Sequence, residues 1–492
     1  MKTPLLLLTF TLGPMLTLSQ GISPQILQRI RTTLASADMR SWEIGTYTQT
    51  LLELDTPSYS VFYPHKPSIP PPSSNSSDYP PSLDAVLSIA QRIVSARSEN
   101  AERPRPLMPD GSAADPASNG VSVLIANWTG RGERDGVDYA GAAREQLEFL
   151  LESTPRSSDG AISHRTEDVS LWSDFVYMVP PFLAYYGALT ANYTLINEAY
   201  VQCRLYRQYL RDDESSGLWR HIVQGSEVTD PRFWATGNGW AAAGMLRVLA
   251  TIQHSEFDKR MEGQQKNLAG WVSEIHDAMY ENLDRTALLF TNYVAEPLTD
   301  ENFYDAASTA LMAATVYRLS VLWGVHTHLG IAEQTRMQIF GSGSSSGELT
   351  ASVSEEGASI LASPSASPPS DLPTPSSSSS SSSQPSSTST SSGGSPEPSF
   401  PPLRPVPEDG NIDAEGWLTP VVNPHWFGVE GAESAEGQAF VLMMYAGWRD
   451  WVAEGAVGSG AARGMGMGVV GMGATRMVVV VVVGLVGGVL IL

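Results

Sequence analysis

Asp174 is a carboxylate set among Trp172, Tyr177, Met178 and Phe182, in the otherwise nearly apolar stretch Leu171–Gly187, LWSDFVYMVPPFLAYYG. A carboxyl in such company is either satisfied by partners or kept for proton transfer. A second passage, WATGNGW (234–240), again sets Trp beside small and polar residues. Indole faces next to a carboxyl suit a sugar: the apolar faces of the ring stack on Trp, and the hydroxyls and glycosidic oxygen need hydrogen bonds and a proton donor. Gly237-Asn238-Gly239 implies a tight turn opening a helix, which would place Trp234 and Trp240 near a surface end. Asp212-Asp213 in DDESSG reads as a solvated turn, and His326 and His328 lack a third ligand, so no metal is expected. No Gly-rich phosphate loop and no Ser-His-Asp order stands out, and no cofactor is expected.

The elements that must position these residues read as helices. Ile26, Ile30 and Leu34 recur at helical spacing, and helical patterns return over Leu83–Arg97, Val121–Trp128, Tyr139–Leu151, Ser170–Thr190, Leu195–Arg211, Gly239–Ile252, Ala269–Leu283 and Ala306–His328. No stretch alternates well enough for a large sheet. Helix–turn–helix units in series predict an all-α toroid or solenoid.

Residues 341–404 contain a long Ser/Pro-rich run that cannot bury apolar area and are expected to be disordered. Core-like composition returns afterwards, with a helix expected over Ser434–Trp451, so 341–404 read as an insertion within one domain formed by 21–340 and 405–452. Residues 1–20 pair Lys2 with an apolar run and read as a secretory signal peptide, and sequons at Asn75, Asn127 and Asn192 agree with secretion. Residues 453–476 form a Gly-rich spacer before the apolar tail 477–492, the layout of a GPI-anchor signal, with a membrane segment as the alternative. A cell-surface location, attached to membrane or wall, is the expectation. The net charge of −22 argues against nucleic acid, which needs a basic patch, and the lone Cys203 excludes an intrachain disulfide.

The order of LWSDFVYMVPPFLAYYG, SGLWRH (216–221), WATGNGW (234–240) and SAEGQAF (434–440) resembles that of the unsaturated rhamnogalacturonyl and unsaturated glucuronyl hydrolases, glycoside hydrolase families 105 and 88. The resemblance implies an (α/α)6 toroid of six helical hairpins with the site at one end. It implies that an aspartate protonates the C4=C5 bond of a 4,5-unsaturated uronic acid, water adds at C5, and the hemiketal falls apart. Carried onto this sequence, Asp174 is the catalytic aspartate and Asp115, in AADPASNG, the second acid. Trp172, His221, Trp234, Trp240 and His164 line the sugar pocket. Thr236 stands where family members commonly carry an arginine that would pair with the substrate carboxylate, leaving Arg220 or Arg232 to supply a cation. The expected function is a secreted, surface-anchored hydrolase of unsaturated uronic-acid oligosaccharides of pectin type. The alternatives are another (α/α)6 wall-polysaccharide hydrolase such as a mannanase, and a non-catalytic carbohydrate-binding wall protein.

Overall fold

A computed structural model describes residues 22–64, 69, 71, 79–98, 102–215, 217–299, 301–341 and 410–459. The expected signal peptide (1–20), the Ser/Pro-rich insertion apart from its first residue, Gly341, and most of the spacer and tail (460–492) lie outside the described residues, as does the Asn75 sequon.

The chain folds into helices packed in antiparallel pairs: α1 (Pro24–Ser36), α2 (Ser41–Asp55), α3 (Asp84–Ser95), α4 (Gly120–Trp128), α5 (Tyr139–Glu148), α6 (Pro180–Leu189), α7 (Tyr193–Leu210), α8 (Ala235–His254), α9 (Glu262–Glu281), α10 (Ala306–Trp323), α11 (Leu329–Phe340) and α12 (Ala435–Ala453). Capping chemistry sets several of their starts. Ser23, Asn192, Asp305 and Ser434 each accept a backbone N–H of the first turn, and Pro24 and Pro180 occupy first helical positions.

An inner ring runs α2, α4, α6, α8, α10, α12 and returns to α2; α3, α5, α7, α9 and α11 each pack outside the inner helix before them, and α1 packs on α12. The first and last described helices thus complete the sixth pair, giving the all-α toroid. The inner helices show why composition and periodicity pointed this way. In α8 and α10 nearly every residue is buried, so they are apolar all round rather than on one stripe. Buried Arg318 of α10 binds Glu53 of α2 at 2.8 Å and Asp450 of α12 at 2.5 Å, tying three inner helices together. Gly341 and Gly410 lie side by side, with Asn411 N–H donating to Ile339 O at 2.8 Å, so the described chain leaves and re-enters the ring at one point.

Two local expectations change. The helix expected over Ser170–Thr190 breaks into a strand residue pair (Leu171–Trp172), one short turn (Phe175–Met178) and α6, because Pro180 and Pro181 can open a helix but not continue one. The Gly237-Asn238-Gly239 turn is not a turn: α8 already begins at Ala235. The glycines of α8 serve close packing instead. A Cβ on Gly237 would lie 2.3 Å from Ser173 Oγ, and one on Gly244 2.0 Å from the carbonyl oxygen of Val176. The described strands form two-stranded pairs only: Leu171–Trp172 with Ile222–Val223, Phe290–Thr291 with Tyr304–Asp305, and Val421–Asn423 with Trp426–Gly431.

Candidate active site

Asp115, Asp174, Trp234, Asp305, Glu436 and Glu43 all lie at or just before the N-termini of inner helices, so one end of the ring gathers carboxyls and indoles. The positive ends of the helix dipoles favour acids there. The pairing of Leu171–Trp172 with Ile222–Val223, extended by Ser173 N–H donating to His221 O at 2.9 Å, brings Asp174 to His221: Oδ2 lies 3.6 Å from Nε2. A second backbone pairing, Ser112 with Arg165 and Ala113 N–H to His164 O at 2.8 Å, brings Asp115 to His164, with Oδ1 3.5 Å from Nε2.

Trp172 spans the two acid–imidazole pairs. Its indole stacks on His164 (centroids 4.8 Å, planes 11° apart) and meets His221 edge to face at 5.5 Å. Trp234 leans on His221 at 4.4 Å, and Phe427 closes the far side at 4.6 Å. Both indole N–H groups are spent on positioning: Trp172 donates to Ser170 Oγ and Trp234 to Asn292 Oδ1, each at 2.8 Å. Asn292 in turn donates to Phe427 O at 2.8 Å, which holds the Val421–Gly431 hairpin against the cluster.

The protonation states follow from these surroundings. Burial raises the pKa of Asp174, partly offset by His221. Burial raises Asp115 well above the usual carboxylate range, and the negative charges of Asp110 and Asp174 add to it. The two aspartates therefore retain a proton to higher pH than an exposed carboxyl does. Burial drives His164 well below the ordinary imidazole range, so it stands neutral beside Asp115. For Asp230 burial acts upward, but hydrogen bonds from His221, Arg232 and Tyr293 prevail and bring it down to about 2. Ionised Asp230 faces His221 Nδ1 at 3.1 Å and accepts a hydrogen bond from its N–H, which leaves Nε2 directed at Asp174 without a hydrogen-bond partner among the described residues. The arrangement is a proton-holding aspartate beside an oriented imidazole under an aromatic wall, which can deliver a proton to a stacked sugar ring.

Residues 113–325 match the family model Glycosyl Hydrolase Family 88. Solved structures share the fold at low identity. A possible member of the GH105 family from Klebsiella pneumoniae subsp. pneumoniae MGH 78578 is 14% identical with a TM-score of 0.55, over 90% of this chain and 100% of that one. Another, from Salmonella enterica serovar Paratyphi A, is 13% identical with a TM-score of 0.56, over 91% and 100%. A glycosyl hydrolase family 88 protein from Bacteroides vulgatus is 13% identical with a TM-score of 0.51, over 87% and 98%. No curated protein sequence matches. The family-model match spans less than half of the chain, and the solved structures share its toroid; the chain is thus similar in this region to Glycosyl Hydrolase Family 88 and in fold to the GH105 and GH88 proteins.

The residues named from sequence separate into two groups in the structure. Asp174, Asp115, Trp172, His164, His221 and Trp234 come together. Trp240 and Thr236 do not join them. Trp240 is fully buried between Tyr177 (4.3 Å) and Phe440 (4.7 Å), more than a turn inside α8, and has no face left for a sugar. Thr236 is fully buried and donates its hydroxyl to Asp305 Oδ2 at 3.1 Å, because its place in the first turn of α8 points it at α10. Of the two cations expected to serve instead, Arg220 is bonded to Asp212. Arg232 is bonded to Asp230 at 2.9 Å and to Tyr293 Oη at 2.7 Å. Sequence reasoning missed Asp230, Phe427 and Glu436. The aromatic run His425-Trp426-Phe427 was the available signal for the second, and the position of Glu436 inside the quoted SAEGQAF was the signal for the third.

Proposed function

We propose that the protein hydrolyses 4,5-unsaturated uronyl oligosaccharides of pectin or rhamnogalacturonan type, with Asp174 as general acid. The observation that carries this reading is the approach of Asp174 Oδ2 to His221 Nε2 at 3.6 Å beneath Trp172, Trp234 and Phe427. Asp174 gives its proton to C4 of the double bond. Water adds at C5, the proton it sheds returns to the carboxylate, and the resulting hemiketal opens to release the next sugar. A bound ring would rest on Trp172, while Asp115, kept protonated by burial and by its acidic neighbours, donates a hydrogen bond rather than a charge. Incubating the purified protein with unsaturated pectin disaccharides and following the ultraviolet absorbance of the double bond tests this: the absorbance falls, and no fall with any unsaturated uronide discards the activity.

The same reading places the enzyme outside the cell, held at a membrane or wall surface. Its support is the apolar run of residues 1–20, the apolar tail 477–492, and sequons at Asn127 and Asn192, both exposed as glycan acceptors must be. Among the described residues no helix is long and apolar enough to cross a membrane. Release of the protein from intact cells by a phosphatidylinositol-specific phospholipase tests the anchor; retention after treatment rejects it.

A further inference from the structure

A 4,5-unsaturated uronide carries a carboxylate, and the end of the ring that must receive it gathers Asp110, Asp115 and Asp174, with Glu43, Asp305 and Glu436 buried behind them. Those of its carboxyls that burial keeps protonated do not repel an anion, but none of them offers a carboxylate a positive charge, so its recognition still needs a cation. Thr236 supplies none. The cations near the mouth are mostly committed. Arg220 is held by Asp212, and Arg232 is held by Asp230 and Tyr293 and lies 3.6 Å over the Tyr293 ring. Arg97, Arg103 and Arg105 all converge on Glu145.

Arg165 differs. It follows His164 directly, and its backbone is pinned opposite Ser112, three residues before Asp115. Among the described residues its one ion pair is a 3.9 Å approach to Glu167, whose side chain is 66% exposed. Its guanidinium lies over Gly111: a Cβ there would come within 3.0 Å of Nη2, so the glycine leaves the space the guanidinium uses. Its positive field reaches both Asp115 and His164.

We propose that Arg165, seated over Gly111 at the rim beside Asp115 and His164, is the residue that recognises the carboxylate of the substrate. The assignment rests on the unsaturated-uronide reading above and names the group that makes that substrate class acceptable to an acidic site. A guanidinium can hold a carboxylate through two parallel hydrogen bonds, a geometry that lysine does not reproduce.

The test measures KM and kcat on an unsaturated uronyl disaccharide and on its methyl ester. A charge-assisted contact present in both the ground and transition states acts on KM. Arg165→Gln is therefore expected to raise KM for the uronide on the order of tenfold to a hundredfold with a small change in kcat, and to affect the ester far less. Arg165→Lys should recover part of the loss, and Gly111→Ala, which displaces the guanidinium, should raise KM in the same direction. An unchanged KM for the uronide in Arg165→Gln, or an equal loss on uronide and ester, overturns the assignment of Arg165 while leaving the activity intact. Failure of the unaltered protein to turn over any unsaturated uronide overturns the activity, and the assignment with it. Arg165 has a partly exposed side chain whose one ion pair among the described residues is loose, so these variants should keep the parent melting temperature.

Discussion

His221 stands between two aspartates that it treats differently: its Nδ1 lies 3.1 Å from Asp230 and its Nε2 3.6 Å from Asp174. The first contact is a hydrogen bond to a carboxylate whose pKa falls to about 2, and it sets the tautomer. The second leaves a ring nitrogen directed at an aspartate whose pKa burial has raised. One side chain thus couples an ionised acid that orients to a protonated acid that reacts.

Asp174→Asn removes the proton donor while keeping the shape of the side chain. Turnover of unsaturated disaccharides is expected to fall by about 10²–10⁴-fold. The melting temperature should hold or rise, because a buried carboxyl is replaced by a neutral amide. Residual activity within a few-fold of the parent would move the acid role elsewhere.

Asp230→Asn acts on stability as well as on rate. A carboxyl at about 2 when folded, against an ordinary value near 3.9, stabilises the fold by about 2 kcal/mol above pH 4. That contribution is lost as pH falls from about 4 towards 2. Denaturant unfolding at neutral pH should show the variant less stable by about this amount, with the gap to the parent closing in the acid range.

Glu436→Gln carries the opposite sign. Burial and the charges of Glu43, Asp174 and Asp305 hold Glu436 well above the usual carboxylate range. A group that is harder to ionise folded than unfolded makes the native state lose ground as pH rises above its unfolded value. Glutamine can still accept the hydrogen bond that Trp42 Nε1 gives at 3.0 Å, so the variant should melt higher than the parent at neutral pH, and the advantage should vanish in acid. By the same logic the rate should fall on the alkaline side as Asp174 and Asp115 ionise, with the limb above the range of an exposed aspartate.

Two aromatic substitutions separate wall from core. Phe427→Ala strips a ring 4.6 Å from His221 on a surface hairpin; we expect roughly tenfold lower kcat/KM with little change in stability. Trp240→Ala empties a fully buried site between Tyr177 and Phe440 and should cost about 3–5 kcal/mol in denaturant unfolding. If Trp240→Ala instead folds as the parent does and loses only sugar affinity, its place in the core is wrong.

Much of this protein was readable along the chain. Helical periodicity and near-continuous apolar runs belong to individual segments, so the all-α character was legible, and Asp174 stood out because one acid among indoles is a local anomaly. Local pattern also misled. The glycines between Trp234 and Trp240 looked like a turn, yet Gly237 lets Ser173 and Gly239 lets Leu311 pack against α8, contacts between distant segments. Burial of Trp240 and Thr236 follows from that approach. Asp230, Phe427 and Arg165 were silent because their surroundings are assembled by strand pairs and bridges between distant parts of the chain. Sequence alone determined which side chains could carry protons and stack on a sugar. Only tertiary structure decided which of them share one end of the ring, since the direction of a side chain and the dielectric around it are set by neighbours that the linear order does not name.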